Sequence, residues 1–495
     1  MKQIHGLAGI EDGAGNVLDI LVDGQHGELK GSRTYHTLDG SDLIAILLSR
    51  KIAGDGWDVF FSGSLPILAV CPQRKIRIQS LHRLDAWGKL GRPRDPGVRS
   101  RGALAMADRW IGAQMSLGLV PGCGLSAAVE RLAPGLRGIR RHGGEEILAR
   151  ERLIRGGRVE VLRTRTDEDI RVWDMRSAYA GAYKDGIPGT FERQSMRAPD
   201  SHDCFIAQVT VNIPDGERVP GMPFRRPRDG RLLFPTGRWQ TWVCGPEFRA
   251  LEAAGQIERV YGVALYERIA PYGPMVERLW SLRQTSDDPV VRDYCKLLLV
   301  SGYGALSSHT SYPVWHLRPS KPLDDAIVIR PGLLQTWESP KRSLAHGPAA
   351  AWILSKVRAK TSSVLREHDG SFYCAVDSVT LPTHVMLPVG DQPGDWHPVH
   401  EKTGGIWKAP GVYSLGGGAL TRAAGIEREH QAEVMGGASV YVERRRSPAC
   451  ALAHGSCAKQ IVSLHLVEDR DLGRIPMDND AMARTRPLTI SEARN

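Results

Sequence analysis

Asp174-Met175-Arg176-Ser177-Ala178-Tyr179 is the stretch on which the reading of this chain turns. It follows Ile170-Arg171-Val172-Trp173, a short β-prone run, so the carboxylate of Asp174 is expected at the end of a strand. About two hundred residues further on, Ser371-Phe372-Tyr373-Cys374 leads in the same way into Ala375-Val376-Asp377-Ser378-Val379. Between the two lies Asp293-Tyr294-Cys295-Lys296-Leu297-Leu298-Leu299-Val300-Ser301-Gly302-Tyr303-Gly304, which reads as a helix with a basic face. Arg292 and Lys296 are four apart and share that face, and Arg283 precedes them. Taken singly, each segment has an ordinary reading: a capped strand-to-helix turn, an amphipathic helix, a hairpin turn. Their order and spacing carry the signal, because only a fold can bring Asp174 and Asp377 to one place.

Two carboxylates and a cation-bearing helix suit nucleotidyl transfer, an in-line displacement at phosphorus in which two metal ions stabilise the attacking and leaving oxygens. Magnesium prefers oxygen ligands and keeps several waters, so two carboxylates plus a triphosphate suffice. In order, the three segments resemble the three polymerase motifs of family-B DNA polymerases, and most closely the compact phage-type branch that includes the protein-primed enzymes. The resemblance implies Asp174 and Asp377 as ligands of two Mg²⁺ ions, for which Mn²⁺ can substitute. It implies Lys296 on the phosphates of the incoming nucleotide, with Arg292 beside it, and Tyr303 near its base. It also implies Ser177 at the nucleotide and Tyr179 under the sugar, where it disfavours ribonucleotides.

Smaller matches surround the motifs. Ile154-Arg155-Gly156-Gly157-Arg158 resembles the Tyr-x-Gly-Gly linker that joins exonuclease and polymerase modules and touches the template, with Ile154 in place of the Tyr. The resemblance thus implies DNA contacts at Arg155, Gly156, Gly157 and Ser378. Gly411-Val412-Tyr413 stands where the family carries a Lys-x-Tyr that steadies the primer end. Tyr413 fits, the Lys position is Gly411, and Lys408 is the expected substitute; Arg422, in Thr421-Arg422-Ala423-Ala424-Gly425, resembles a further basic contact. The third motif of the family reads Asp-Thr-Asp-Ser, whereas this chain has Ala375 at the first carboxylate and keeps the second, the principal metal ligand, as Asp377.

The N-terminal part departs further. A proofreading exonuclease needs an Asp-x-Glu pair on an early strand, and the corresponding stretch Gly6-Leu7-Ala8-Gly9-Ile10-Glu11-Asp12 has Ala8 and Ile10 at those positions. The second such segment, Val59 to Ile67, holds no acid, and Asp108 reads as a helix-surface residue. A degenerate exonuclease-like domain without proofreading is expected.

With 495 residues the chain is long enough for several domains, and its formal charge of +10 favours polyanionic partners. Arginine clusters at 137–141, 225–228 and 444–446 are candidates for phosphate contacts. The eight cysteines show no Cys-x-x-Cys spacing and read as reduced thiols; Cys450, His454 and Cys457 give three donors of a zinc site with no fourth in view. No apolar run reaches bilayer length and Met1-Lys2-Gln3-Ile4-His5-Gly6 opens no signal peptide, so a cytoplasmic location with no membrane partner is expected.

Strands and helices mix without regular βαβ alternation, which gives an α+β multidomain fold. With the resemblance, this becomes a right-hand polymerase of palm, fingers and thumb behind an N-terminal RNase H-like exonuclease-type domain. The expected limits are 1–150 for the exonuclease-like domain, 151–274 and 311–402 for the palm, 275–310 for the fingers, and 403–495 for the thumb and a C-terminal tail. Phe205 to Val211 is expected in the palm sheet, Pro348 to Leu365 as a helix beneath it, and residues from 474 onward as a mobile polar tail. The implied activity is a DNA-directed DNA polymerase of a phage, plasmid or mobile element. It would act on primer-template DNA and dNTPs, with a priming terminal protein or other replication proteins as further partners. The alternatives are a template-independent, terminal-transferase-like enzyme and a catalytically dead nucleic-acid-binding homologue.

Overall fold

The computed structural model describes residues 112–119, 124–140, 143–308, 344–424, 430–437, 471–477 and 480–494, residues 109, 426 and 439, and the backbone of those strands below that lie outside these ranges. At the N-terminus, β1 (His5–Glu11), β2 (Val17–Asp23), β3 (Leu29–Thr37), β4 (Asp58–Phe61) and β5 (Arg77–Ser80) form one sheet in the order β3-β2-β1-β4-β5. The first three strands are antiparallel, and β4 and β5 join parallel on the far side of β1, in keeping with an RNase H-like domain. Ala8 and Ile10 lie on β1, the middle strand, in register with Leu21 and Asp19. Ser62 to Ile67 and Asp108 lie outside the described residues.

The sheet that carries Asp174 has seven strands. They are β6 (Val159–Val161), β7 (Arg165–Met175), β17 (Tyr373–Ala375), β18 (Ser378–Pro382), β19 (Trp396–Ala409), β20 (Val412–Leu415) and β21 (Leu420–Ala423), in the order β21-β20-β19-β7-β18-β17-β6. Alternation along β7 splits its apolar residues between the two faces. Ile170 packs with Phe372, Trp407 and Leu415 on one side, while Trp173 joins Val379 and Leu381 in the main core on the other.

Helices pack on that second face and on a second sheet. In chain order they include α1 (Gly143–Leu148), α2 (Ala178–Tyr183), α3 (Gly245–Ala253), α4 (Gly273–Thr285), α5 (Pro289–Ser307), α6 (Gly347–Glu367) and α7 (Ile490–Arg494). As expected, α6 begins with Pro348 in its first turn and ends just before β17. Ile353, Val357 and Leu365 of α6 share a core with Trp173, Val379 and Leu381. Helices α4 and α5 pack together as a hairpin over the segment expected as fingers.

Three expectations change. First, Phe205 to Val211 is not in this sheet. Both flanks of β7 are taken by β18 and β19, and β9 (Phe205–Ile213) pairs instead in a second antiparallel sheet. That sheet contains β8 (Ile187–Ser195), β12 (Gly237–Cys244) and β13 (Ile257–Ile269), in the order β12-β9-β13-β8; a short pair, β10 (Phe224–Arg225) and β11 (Leu232–Leu233), lies in the loop before β12. Second, the palm-to-thumb limit at 402 falls inside β19, which stays paired with β7 as far as Ile406 opposite Arg165. Third, the C-terminal stretch is no free tail. β24 (Arg474–Pro476) and β25 (Thr485–Pro487) pair with each other, and α7 packs on β12.

That stretch is anchored through polar groups, which is why its composition misleads. Arg474, fully buried, donates to Glu160 Oε1 at 3.0 Å, to Thr485 Oγ1 at 2.8 Å and to the Arg218 carbonyl. Glu160 also pairs with buried Arg158. Two further groups of strands are described as backbone: β14 (Tyr312–Leu317), β15 (Ile327–Arg330) and β16 (Leu333–Glu338) in one small sheet, and the hairpin β22 (Val440–Arg445) and β23 (Lys459–Leu464). Cys450, His454 and Cys457 lie outside the described residues, while Cys204, Cys244, Cys295 and Cys374 are buried free thiols.

Candidate active site

Asp174 is the penultimate residue of β7, and Asp377 sits in the tight turn between β17 and β18 rather than at the end of a strand. The register places Ser378 directly opposite Asp174, and the Met175 N–H donates to the Asp377 carbonyl at 2.9 Å. Residues about two hundred positions apart therefore share one cavity of about 300 Å³ with Ser177, Tyr179 and Lys296.

The turns that deliver these groups are conformationally unusual. Val376 has φ 62° and Ser177 φ 44°, left-handed values that cost a β-branched or bulky residue most. The Val376 N–H is held by the Arg158 carbonyl at 2.6 Å, and Gly157 lies against its side chain. A Cβ on Gly157 would stand 2.5 Å from Val376 Cγ1, whereas one on Gly156 would meet nothing within 4 Å. The linker is fixed from below: Arg358 forms a buried pair with Glu247, at 2.7 and 3.1 Å, and donates to the carbonyls of Arg155 and Gly156.

Lys296 reaches the cavity because α5 docks closely on α2. Gly302 leaves room for the Tyr183 ring, whose hydroxyl donates to the Leu299 carbonyl at 2.5 Å, and Tyr272 donates to the Gly302 carbonyl at 2.9 Å. Tyr179 and Tyr303 stack at 4.8 Å between ring centroids, so the two tyrosines expected around one nucleotide do meet. Arg292 does not line the cavity; it is exposed one helical turn from Lys296. Arg283 of α4 lines it instead, donating to Ser177 Oγ at 3.2 Å.

Sequence reasoning missed His397. It lies on β19 directly opposite Asp174, on the flank away from Ser378, and lines the cavity with Arg176 and Trp280. No motif announces it, since only strand register brings it there. The residues expected at the primer end lie on three neighbouring strands, β19, β20 and β21. Lys408 is exposed and donates to the Met435 carbonyl at 3.4 Å, while Arg422, the cross-strand partner of Tyr413, is the cation beside that ring.

The electrostatics are those of an acidic pair short of counter-charge. Burial, then the nearby Asp377, push the Asp174 carboxyl up to about 7, and Lys296 opposes them only in part. Burial also raises Asp377. Burial, then Tyr303 and Asp377, push the Tyr179 hydroxyl up to about 12, so it stays neutral. His397 is held toward its neutral form by burial and by Arg176. Two half-buried carboxylates, Asp174 further destabilised by the charge of Asp377, fit a divalent cation, which would favour the ionised form of both. Among the described residues there is no cluster of three or more His, Cys, Asp or Glu side chains able to enclose a metal, so such an ion would complete its shell with water and substrate oxygens.

Comparison with known proteins bears on the fold that carries this site. Residues 151–311 match the sequence model of the family described as DNA polymerase type B, organellar and viral. No curated protein matches the chain. Among solved structures, the phi29 DNA polymerase in its orthorhombic crystal form matches with a TM-score of 0.66 at 13% identity, covering 94% of this chain and 100% of that one. The same phi29 enzyme complexed with primer-template DNA and incoming nucleotides gives the same values, and its complex with single-stranded DNA gives 0.63 at 13%, over 90% and 97%. Residues 151–311 thus carry the sequence signature of type-B DNA polymerases, and the chain as a whole has the fold of the phi29 enzyme.

Proposed function

We propose that the chain is a template-directed polymerase that joins deoxynucleotides to a DNA primer by two-metal nucleotidyl transfer, serves replication of a phage, plasmid or other mobile element, and does not proofread. The observation that carries this reading is the shared cavity of Asp174, Asp377 and Lys296, with Tyr179, stacked on Tyr303, in its wall.

In this reading Asp174 and Asp377 hold two Mg²⁺ ions, which supply charge stabilisation to the attacking and leaving oxygens. Lys296 and Arg283 bind and neutralise the triphosphate. Tyr179, neutral and braced by Tyr303, fills the space a 2′ hydroxyl would need. Gly157 and the Arg158 carbonyl hold the Val376-Asp377 turn in place, and Tyr413 with Arg422 steadies the primer end. The phi29 enzyme has been captured with primer-template DNA and incoming nucleotides, and the shared fold makes these the expected partners here. A terminal protein, if the enzyme starts from a protein hydroxyl, joins them.

The absence of proofreading rests on Ala8 and Ile10, two side chains with no metal-binding oxygen on the middle strand of the N-terminal sheet. A primer with a mismatched 3′ end, incubated with the protein and Mg²⁺ in the absence of dNTPs, tests it. The end is expected to persist; Mg²⁺-dependent trimming would show an active exonuclease.

A further inference from the structure

A cleft of about 720 Å³, larger than the catalytic cavity, opens between the helical segment 143–153 and the edge strand β12. None of the groups assigned to catalysis lines it. Its walls carry three guanidinium groups, Arg152, Arg155 and Arg225, and three aromatic rings, Phe224, Trp239 and Trp242. Glu151 is the one carboxylate among the lining residues. The volume is that of a site for one or two nucleotides, within the roughly 300–1,000 Å³ usual for small-ligand sites, and is too small to enclose a duplex.

Two details point to a ligand. Trp239 is 6% exposed, and its indole Nε1 has no hydrogen-bond partner among the described residues. Arg155, half-buried, donates to the Pro223 carbonyl and to Thr241 Oγ1 at 3.4 Å, and burial, then the neighbouring Arg358, pull its guanidinium down to about 10, a penalty that a bound anion would relieve. Arg225 differs from the rest of its cluster: Arg226 and Arg228 are drawn off by Asp471, and Arg226 also by Asp229, whereas Arg225 stays exposed at the cleft. The cleft also begins at the linker Arg155–Gly157, whose other end touches the turn bearing Asp377.

We infer that this cleft is a binding site for unpaired bases of single-stranded DNA, with Trp242 and Phe224 as stacking surfaces, Trp239 as the packed floor beneath them, and Arg152, Arg155 and Arg225 on the phosphates. Cationic grooves lined with rings bind single strands in this way, because every base has a face to stack and every nucleotide carries a charge. The edge strand β12 could instead accept a peptide strand. Three guanidiniums against one carboxylate favour the polyanion. The inference deepens the reading of a templated polymerase by giving the template a path beyond the active site, and it rests on that reading.

The test is fluorescence anisotropy of labelled oligothymidylate, and of a blunt duplex of equal length, with the full chain and no dNTPs. Trp242→Ala with Arg225→Ala should weaken single-strand binding at least tenfold, lower its salt dependence by about one counterion, and change duplex binding less than twofold. Trp242→Phe, which keeps a ring, should bind within about twofold of the parent and so separates stacking from misfolding. Unchanged single-strand binding by the double variant, or equal loss on the duplex, would overturn the site. Nucleotide incorporation is not read in this experiment, so a chain that binds single strands here yet fails to extend primers would sink the proposed function alone.

Discussion

Gly157→Ala is expected to act on catalysis through a single contact. An alanine Cβ there would lie 2.5, 2.8 and 2.9 Å from Val376 Cγ1, Cγ2 and Cβ, where carbon atoms normally sit about 3.5–4.0 Å apart. About 1 Å must be found. Val376 cannot easily yield, since its φ of 62° already costs about 1–3 kcal/mol and its N–H is pinned at 2.6 Å to the Arg158 carbonyl. If the linker strains in place, the cost is about 1–3 kcal/mol of stability. If the turn moves, Asp377 moves with it, and a displacement of about 1 Å in a reacting group costs about a hundredfold in rate. Single-nucleotide incorporation on a primer-template, with a thermal melt beside it, should show a fall in kcat of up to that size and little change in DNA affinity. Gly156→Ala, whose Cβ would meet nothing within 4 Å, should behave as the parent. Gly157→Ala combined with Val376→Gly, which removes all three clashing atoms and suits the positive φ, should regain most of the loss. Equal damage from both glycine variants, or a loss confined to DNA affinity, would refute the argument and return these glycines to a direct template contact.

Other consequences follow from the same contacts. Glu160→Gln leaves buried Arg158 and Arg474 facing each other without a counter-charge and should cost about 3–5 kcal/mol in a urea melt; a loss under about 1 kcal/mol would mean that the C-terminal stretch is not anchored through them. With its carboxyl raised to about 7, Asp174 holds its proton more tightly in the folded protein, so its contribution to stability is present below about pH 4 and is lost as pH rises through 7. Such a shift would be worth about 4 kcal/mol in a sealed site and about half that at this exposure; in chelator-treated protein Asp174→Asn should flatten the slope, and an unchanged slope would place the proton elsewhere. Tyr179→Ala should admit ribonucleotides, and unchanged sugar selectivity in competitive incorporation would assign the barrier to another group.

The parts of the site carried by local pattern were legible in the sequence. A β-prone run before each aspartate and a leucine-rich helix bearing Lys296, in the order in which family-B polymerases carry their motifs, led to the expectation of two carboxylates and a cation together. Helical spacing gave Arg292 the right face but not the right depth, because which turn of α5 reaches the cavity depends on how Gly302 seats against Tyr183. His397 was invisible as a site residue since strand register alone pairs it with Asp174, and the pairing of Arg422 with Tyr413 likewise came from register. The C-terminal stretch misled for a physical reason: its key buried side chain is an arginine, and polar composition normally signals exposure. The strand Phe205–Ile213 was correctly read as a strand, but nothing in its residues says which of two sheets has a free edge.

The central claim is that Asp174 and Asp377 form one metal-dependent site for templated synthesis. Its most direct test is extension of a labelled primer with Mg²⁺ and each dNTP in turn, on a templated duplex and on a single strand, beside Asp377→Asn. The account predicts incorporation of the template-matched nucleotide only, abolished in Asp377→Asn while DNA affinity stays within about twofold. Extension indifferent to the template, or synthesis that survives in Asp377→Asn, would contradict it.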